Sequence, residues 1–166
     1  MTHVAERDLT IEQVLTMLAG APPRLAEVTA GLTPAELTIR PAPDAWSVND
    51  VLAHLRSCDD MWGGSISTML GEEHPTIRAI NPRTWIHETD YPDRAFRPSL
   101  RAYTRQREDL LGILERLPPE GWSRDATFTG AGKPVERTVL SQAQRIAVHE
   151  RAHLKQVAAI VDAMRS

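Results

Sequence analysis

The clearest chemical signal in this sequence is a pair of histidines near its C-terminal end, His149 and His153. They stand four residues apart in a segment whose apolar residues recur every three or four positions. On a helix both rings then leave the same face, one turn apart. Two imidazoles at that spacing can share one metal ion. Both fall on the stripe that must face a core: Ile146, His149/Glu150, His153, Val157, Ile160 and Met164. A polar group buried there without a partner costs a few kcal/mol. A metal would satisfy one nitrogen of each ring; two separately hydrogen-bonded core histidines are the alternative. His54, on the flank of a second apolar stripe, offers a third imidazole. The expectation is a single divalent metal ion on His54, His149 and His153, with a coordination position left open. Zinc is the first choice of metal, with nickel, iron or manganese as alternatives.

Two richer motifs overlap the pair. His149-Glu150-Arg151-Ala152-His153 reads as H-E-x-x-H, the zinc metalloprotease pattern in which the glutamate is a general base. Such enzymes take a third ligand downstream, yet the 13 residues after His153 contain no His or Glu. Glu150 is then a group supporting the site from behind or, the simpler reading, a solvated helix residue. Glu150-x-x-His153 also matches half of a di-iron bundle site, but the second half is missing, because Val51 stands three residues before His54.

The remaining candidates are single residues. Cys58 follows His54 by one turn and is either a fourth ligand that closes the site or a small buried hydrophobe. His3 lies near the N-terminus. His74 and His87 fall in a long loop and read as solvated, or as lining a pocket mouth. Trp46 packs at a linker; Trp62 and Trp85 are core or pocket wall. No residue is assigned to an organic cofactor, and no catalytic residue is identified.

Helices must position these groups. The first runs from about Thr10 to Gly31, with Pro22 and Pro23 in its middle expected to kink or break it. Thr33, Pro34 and Glu36 form a capped turn. An extended, proline-bearing linker, Arg40–Trp46, leads to Ser47, which caps a second helix carrying Val48, Val51, Leu52, Leu55, Cys58, Trp62, Ile66 and Met69 and ending at Gly71. Residues 72–98 form a long loop, a feature that is often functional. The third helix is expected over Ser99–Leu117, a loose hairpin over Trp122–Val135, and the last helix over Thr138–Met164. Four long helices with no clear strands argue for an all-α, four-helix bundle in one domain, residues 1–166.

Composition narrows the function classes. The 166 residues are 42% hydrophobic and 25% charged, as in an ordinary globular chain. A net charge of −3 with no basic stripe argues against a nucleic-acid partner. No stretch nears the roughly 20 apolar residues of a membrane span. Glu6, Arg7 and Asp8 interrupt any signal-peptide core. The lone Cys58 allows no internal disulfide and fits a reducing cytoplasm.

Three segments carry a family resemblance: Arg40-Pro41-Ala42-Pro43-Asp44-Ala45-Trp46-Ser47-Val48, Val51-Leu52-Ala53-His54-Leu55, and His149-Glu150-Arg151-Ala152-His153-Leu154-Lys155-Gln156-Val157. In order and spacing they resemble the DinB-like superfamily, which includes bacterial metal-dependent thiol S-transferases. That resemblance implies an up-down-down-up four-helix bundle, a metal on the three matching histidines, and a homodimer. It implies, less firmly, transfer of a low-molecular-weight thiol (mycothiol, bacillithiol or glutathione) to an electrophile. Some relatives carry glutamate where this chain has His149, so the site here is expected to hold no ligand charge. A bound thiol would lose its proton to the metal and become the nucleophile. A non-catalytic metal-binding stress or accessory protein and a metal-dependent hydrolase are the alternatives.

Overall fold

A computed structural model describes residues 8–166, so the expectation about His3 lies outside the described residues. The first helix, α1 (Ile11–Thr29), is closed at its start by a capping box between Thr10 and Gln13. A one-turn helix α2 (Pro34–Leu37), capped by Thr33, leads through the linker to α3 (Val48–Cys58), capped by Ser47 with Asp50 answering back. A π-helical turn, Asp59–Gly63, joins α3 to α4 (Gly64–Gly71). Strand β1 (Thr76–Arg78) and the short helix α5 (Pro82–Trp85) follow. Then come α6 (Phe96–Leu114), α7 (Pro119–Trp122), β2 (Asp125–Thr129), β3 (Val135–Thr138) and α8 (Val139–Arg165). Among the described residues no helix is long and apolar enough to cross a membrane.

Helix α1 packs on α8 and α6, and α3 packs on the same two. The bundle therefore closes as a ring in which α3 and α8, the histidine-bearing helices, are neighbours.

Several local expectations change. The two prolines do not break α1. Pro22 has no N–H for the Leu18 carbonyl, and that carbonyl instead accepts a hydrogen bond from Arg107 Nη1 at 3.0 Å. Helix α6 begins at Phe96, three residues early, because Pro98 falls in its first turn, where backbone N–H groups have no intrahelical partner. The second helix is interrupted by the π turn. Strands exist too. β1 pairs parallel with β2, and β2 pairs antiparallel with β3 in the region read as a loose hairpin. With three to five residues each, these strands carry too little alternation to be visible beforehand. Between β2 and β3, Gly130 has φ +96, and a Cβ there would meet the Ala79 carbonyl at 3.3 Å.

The apolar core is split in two. One cluster gathers Leu18, Ile66, Leu110, Ile146 and Ala147; the other gathers Leu25, Leu55, Tyr103 and Val157. Between them runs a polar waist. Arg107, 1% exposed, donates from Nη2 to both Asp59 oxygens at 2.9 and 2.7 Å, and from Nη1 to Glu150 Oε2 at 2.7 Å. Its Nη2 also meets Glu150 Oε1, which accepts from the Tyr103 hydroxyl at 2.7 Å. Glu150 is thus not a solvated helix residue. It faces inward, 2% exposed, because a buried guanidinium needs carboxylate partners. Burial, with the Glu150 charge beside it, lifts Asp59 to about 7 despite Arg107.

Removing the cation would leave two carboxylates buried without compensation. Arg107→Met is expected to cost about 3–5 kcal/mol, read as a lower denaturant midpoint. Arg24→Met, which removes the exposed Arg24–Glu27 pair, should stay within about 0.5 kcal/mol of the parent. Equal midpoints for the two variants would rule out the waist as a stabilising junction.

Candidate metal centre

The three expected ligands are brought together. His54 stands on α3, about two turns after its Ser47 cap, and its Nε2 lies 3.2 Å from His149 Nε2 on α8. His153, one turn further along α8, places its Nε2 3.1 Å from the same atom. His54 is buried and the other two are half-buried. Indoles hold the rings in place. Trp46 stacks on His153 with centroids 5.9 Å apart and leans on His54 at 4.8 Å; Trp62 meets His149 edge-on at 4.8 Å. Trp46 therefore packs on the site itself, beyond the linker role expected of it.

The proton inventory leaves the centre short of hydrogen. The Nδ1–H of His153 donates to Gln156 Oε1 at 2.8 Å, so in the neutral ring Nε2 presents a lone pair inward. Burial first, and then the charge of His153, lowers His54 to about 4. The same causes, with His54 added, lower His149 to about 3. Both rings are neutral at pH 7. One proton on His149 Nε2 cannot serve two neighbouring nitrogens, so at least one of the two close contacts lacks a well-placed hydrogen. A cation among the three lone pairs resolves this. Two nitrogens held ~2.0–2.1 Å from one ion at a near-tetrahedral angle stand about 3.3 Å apart, close to the separations here. The residues fit a divalent metal.

Other candidates fall away. The Cys58 thiol lies 3.5 Å from His54 Nε2 but outside the cluster whose ligand atoms are within 4.8 Å of one another. Burial, then the charge of Asp59, raises its pKa far above the usual thiol value, opposing the thiolate a metal requires. Glu150 has both oxygens committed to Arg107 and Tyr103, so the H-E-x-x-H reading loses its general base. His74 is exposed and hydrogen-bonded to Asp125 at 2.8 Å and Thr127 at 3.1 Å. With Asp125 and Glu136 it forms a second, fully exposed group of ligand-type residues. His87 is exposed.

The imidazoles open onto space. A cavity of about 770 Å³ has His54, His149 and Trp62 in its wall, together with Ile77, Phe128 and Arg145. A second, of about 420 Å³, is lined by His153, Trp46 and Gln156; Arg83 borders both. Trp85 borders neither; its Nε1 donates to Asp60 at 3.0 Å. Sequence reasoning missed Gln142, Arg145 and Arg83. The first two were legible, because Gln142, Arg145, His149 and His153 recur at three, four and four residues along one face of α8. Arg83 comes from the long loop and carried no signal.

Residues 7–157 match the DinB superfamily. The chain belongs to that superfamily. YfiT from Bacillus subtilis, described as a probable metal-dependent hydrolase with an unusual four-helix bundle topology, superposes with TM-score 0.76 at 17% identity over 99% of this chain and 91% of its own. The DinB-like protein YjoA, also from Bacillus subtilis, gives TM-score 0.63 at 16% identity over 93% and 92%. No curated protein matches the sequence significantly. At these identities the two structures establish the shared bundle. Residue roles in this DinB chain rest on its own geometry.

The neutral imidazoles predict a pH signature of the metal-free protein. A histidine whose folded pKa lies below 6.5 takes its proton first in the unfolded chain. The contribution of His54 and His149 is therefore complete above about pH 6.5 and is lost as pH falls toward 4. Asp59, raised to about 7, acts in the opposite sense, so the comparison must be with a variant. From pH 7 to 4.5 the parent should lose more stability than His54→Asn/His149→Gln. Parallel loss in the two proteins would contradict neutral, buried rings.

Proposed function

We propose that this chain is a divalent-metal-dependent enzyme whose ion is held by His54, His149 and His153 and reached from the larger cavity. One observation carries the reading. Three Nε2 atoms converge, two of them from His54 and His149 in the wall of a 770 Å³ cavity, and among the described residues no carboxylate or thiolate completes their cluster. Three nitrogen ligands with a vacancy are the arrangement of catalytic rather than structural zinc sites. When bound there, a divalent ion supplies Lewis acidity, lowering the pKa of an entering thiol or water so that a nucleophile exists at neutral pH.

The chain's own residues do the rest. Gln156 selects the His153 tautomer, and a hydrogen bond of this kind also fixes ring orientation. Trp46 and Trp62 hold the ring planes. The Arg107–Glu150 pair fixes the rotation of α8 so that the residue before Glu150 faces the cavity. No protein sulfur takes part. The finer reading is S-transfer, in which a low-molecular-weight thiol forms a carbon–sulfur bond to an electrophile, the leaving group departs with its electron pair, and the thiol proton passes to solvent. Two cavities that share Arg83 in their walls, one on the His54–His149 side and one on the His153 side, favour a reaction of two substrates. A hydrolase is the second reading, favoured by the description of YfiT; water then replaces the thiol.

Cys58→Ser is expected to retain both metal and activity, since the reacting sulfur belongs to the substrate. His54→Ala, His149→Ala and His153→Ala should each lose most bound metal, while His74→Ala should not. Elemental analysis of the purified variants gives metal content, and conjugation assays with mycothiol, bacillithiol and glutathione give activity. Metal lost in Cys58→Ser would convert the site to a closed, structural one. Metal retained with no conjugation by any thiol would favour hydrolysis.

A further inference from the structure

The cavity beside the imidazoles carries more positive charge than its wall neutralises. Arg78 at the end of β1 and Arg83 in α5 both line it. Among the described residues Asp60 is the sole carboxylate in that lining. Its oxygens already accept from Trp85 Nε1 at 3.0 Å, the Tyr91 hydroxyl at 2.6 Å and Gln106 Nε2 at 2.7 Å. Neither Arg78 nor Arg83 is ion-paired with a described residue. Arg83 lies 5.0 Å over the Trp46 ring, a contact that orients a guanidinium and leaves its charge uncancelled.

A second, independent feature is an orphaned acceptor. Gln142 is 1% exposed and lines the same cavity. Its Nε2 donates to Ser65 Oγ at 2.9 Å. The single Ser65 hydroxyl proton goes to the Trp62 carbonyl at 2.6 Å, so Ser65 can only accept from Gln142, and the amide orientation is settled. Gln142 Oε1 is left with no partner. Buried acceptors of this kind are uncommon and need a donor. The rest of the wall is largely apolar, with Ile77, Ile80 and Phe128. The volume is that of a small-molecule site.

We infer that the cavity binds a small organic anion of carboxylate or phosphate type. Its charged group lies against Arg78 and Arg83, which match such groups through the guanidinium fork. Its body covers Ile77 and Phe128, and a hydroxyl or N–H on it donates to Gln142 Oε1. The placement of its reactive end beside His54 and His149 rests on the metal reading proposed above; the anion site itself does not.

Calorimetric titration of the full chain, zinc-loaded and after chelation, tests this. The probes are 4-hydroxyphenylacetate, phenylacetate and phenylphosphonate, with neutral 4-hydroxyphenylacetamide beside them. The anions should bind in both metal states, more weakly as salt rises. Arg78→Gln and Arg83→Gln should each weaken them about ten-fold, the weight of one charge-assisted hydrogen bond. Gln142→Leu should weaken the hydroxylated probe and spare phenylacetate. Equal binding of the amide, affinities unchanged in both arginine variants, or no saturable binding of any anion below about 10 mM would overturn the proposal. So would anion binding that needs zinc and ignores the arginines, since that is ligation by the metal alone. Zinc content is measured separately, so a chain that binds anions without holding zinc overturns only the metal reading.

Discussion

A single buried guanidinium touches all four sides of the bundle. Arg107, from α6, reaches the Leu18 carbonyl on α1, Asp59 where α3 gives way to the π turn, and Glu150 on α8. Burying a charge so completely is tolerable only with carboxylates in contact. The rest of the structure follows that requirement. The core splits into two apolar clusters with the ion network between them. The proline in α1 frees a carbonyl where the guanidinium can use it. The π turn places Asp59 inward against Arg107 and Asp60 toward Trp85, Tyr91 and Gln106, in keeping with the tendency of π-helical turns to occur at functional sites.

The same constraint aims the site. With Glu150 directed at Arg107, a helix of 3.6 residues per turn rotates His149 about 100° away, toward α3 and the cavity. His153, one turn on, lies above it, and His54 meets the pair from the neighbouring helix. The imidazoles thus stand between two opposed fields. Behind them the waist holds two carboxylates against one cation; before them the cavity wall carries Arg78 and Arg83. On the metal reading proposed above, three nitrogen ligands without a carboxylate would let a divalent ion keep its full charge, and the waist carboxylates would offset part of it from behind. Arg78 and Arg83 leave the open side suited to the anion inferred above. The glutamate of the H-E-x-x-H pattern is removed from chemistry by the network that positions its neighbours.

Much of the scaffold was legible beforehand. Capping residues at Thr10, Thr33, Ser47 and Thr138 mark helix starts because a short oxygen side chain satisfies backbone donors nearby in sequence. The His149–His153 spacing is a local property of one helix. What was misread depended on distant partners. Pro22 looked disruptive because the donor that satisfies the Leu18 carbonyl arrives from residue 107. Glu150 looked solvated because its partners, Tyr103 and Arg107, lie more than 40 positions away. The strands were too short to show a period, and β1 pairs with a strand about 50 residues later.

By itself, then, the sequence determined the helices, their caps and the ligand types: an imidazole pair on one face, a third on another helix, and a lone cysteine with no disulfide partner. Those are consequences of chain-local geometry, in which period and side-chain chemistry suffice. Only the tertiary structure decided that the three Nε2 atoms meet, that Cys58 stays outside their cluster as a buried thiol, and that Glu150 turns to the waist. It also decided that loop residue Arg83 borders both cavities. Each of these turns on which desolvated groups find partners across the bundle, and that balance is set by packing between residues tens of positions apart.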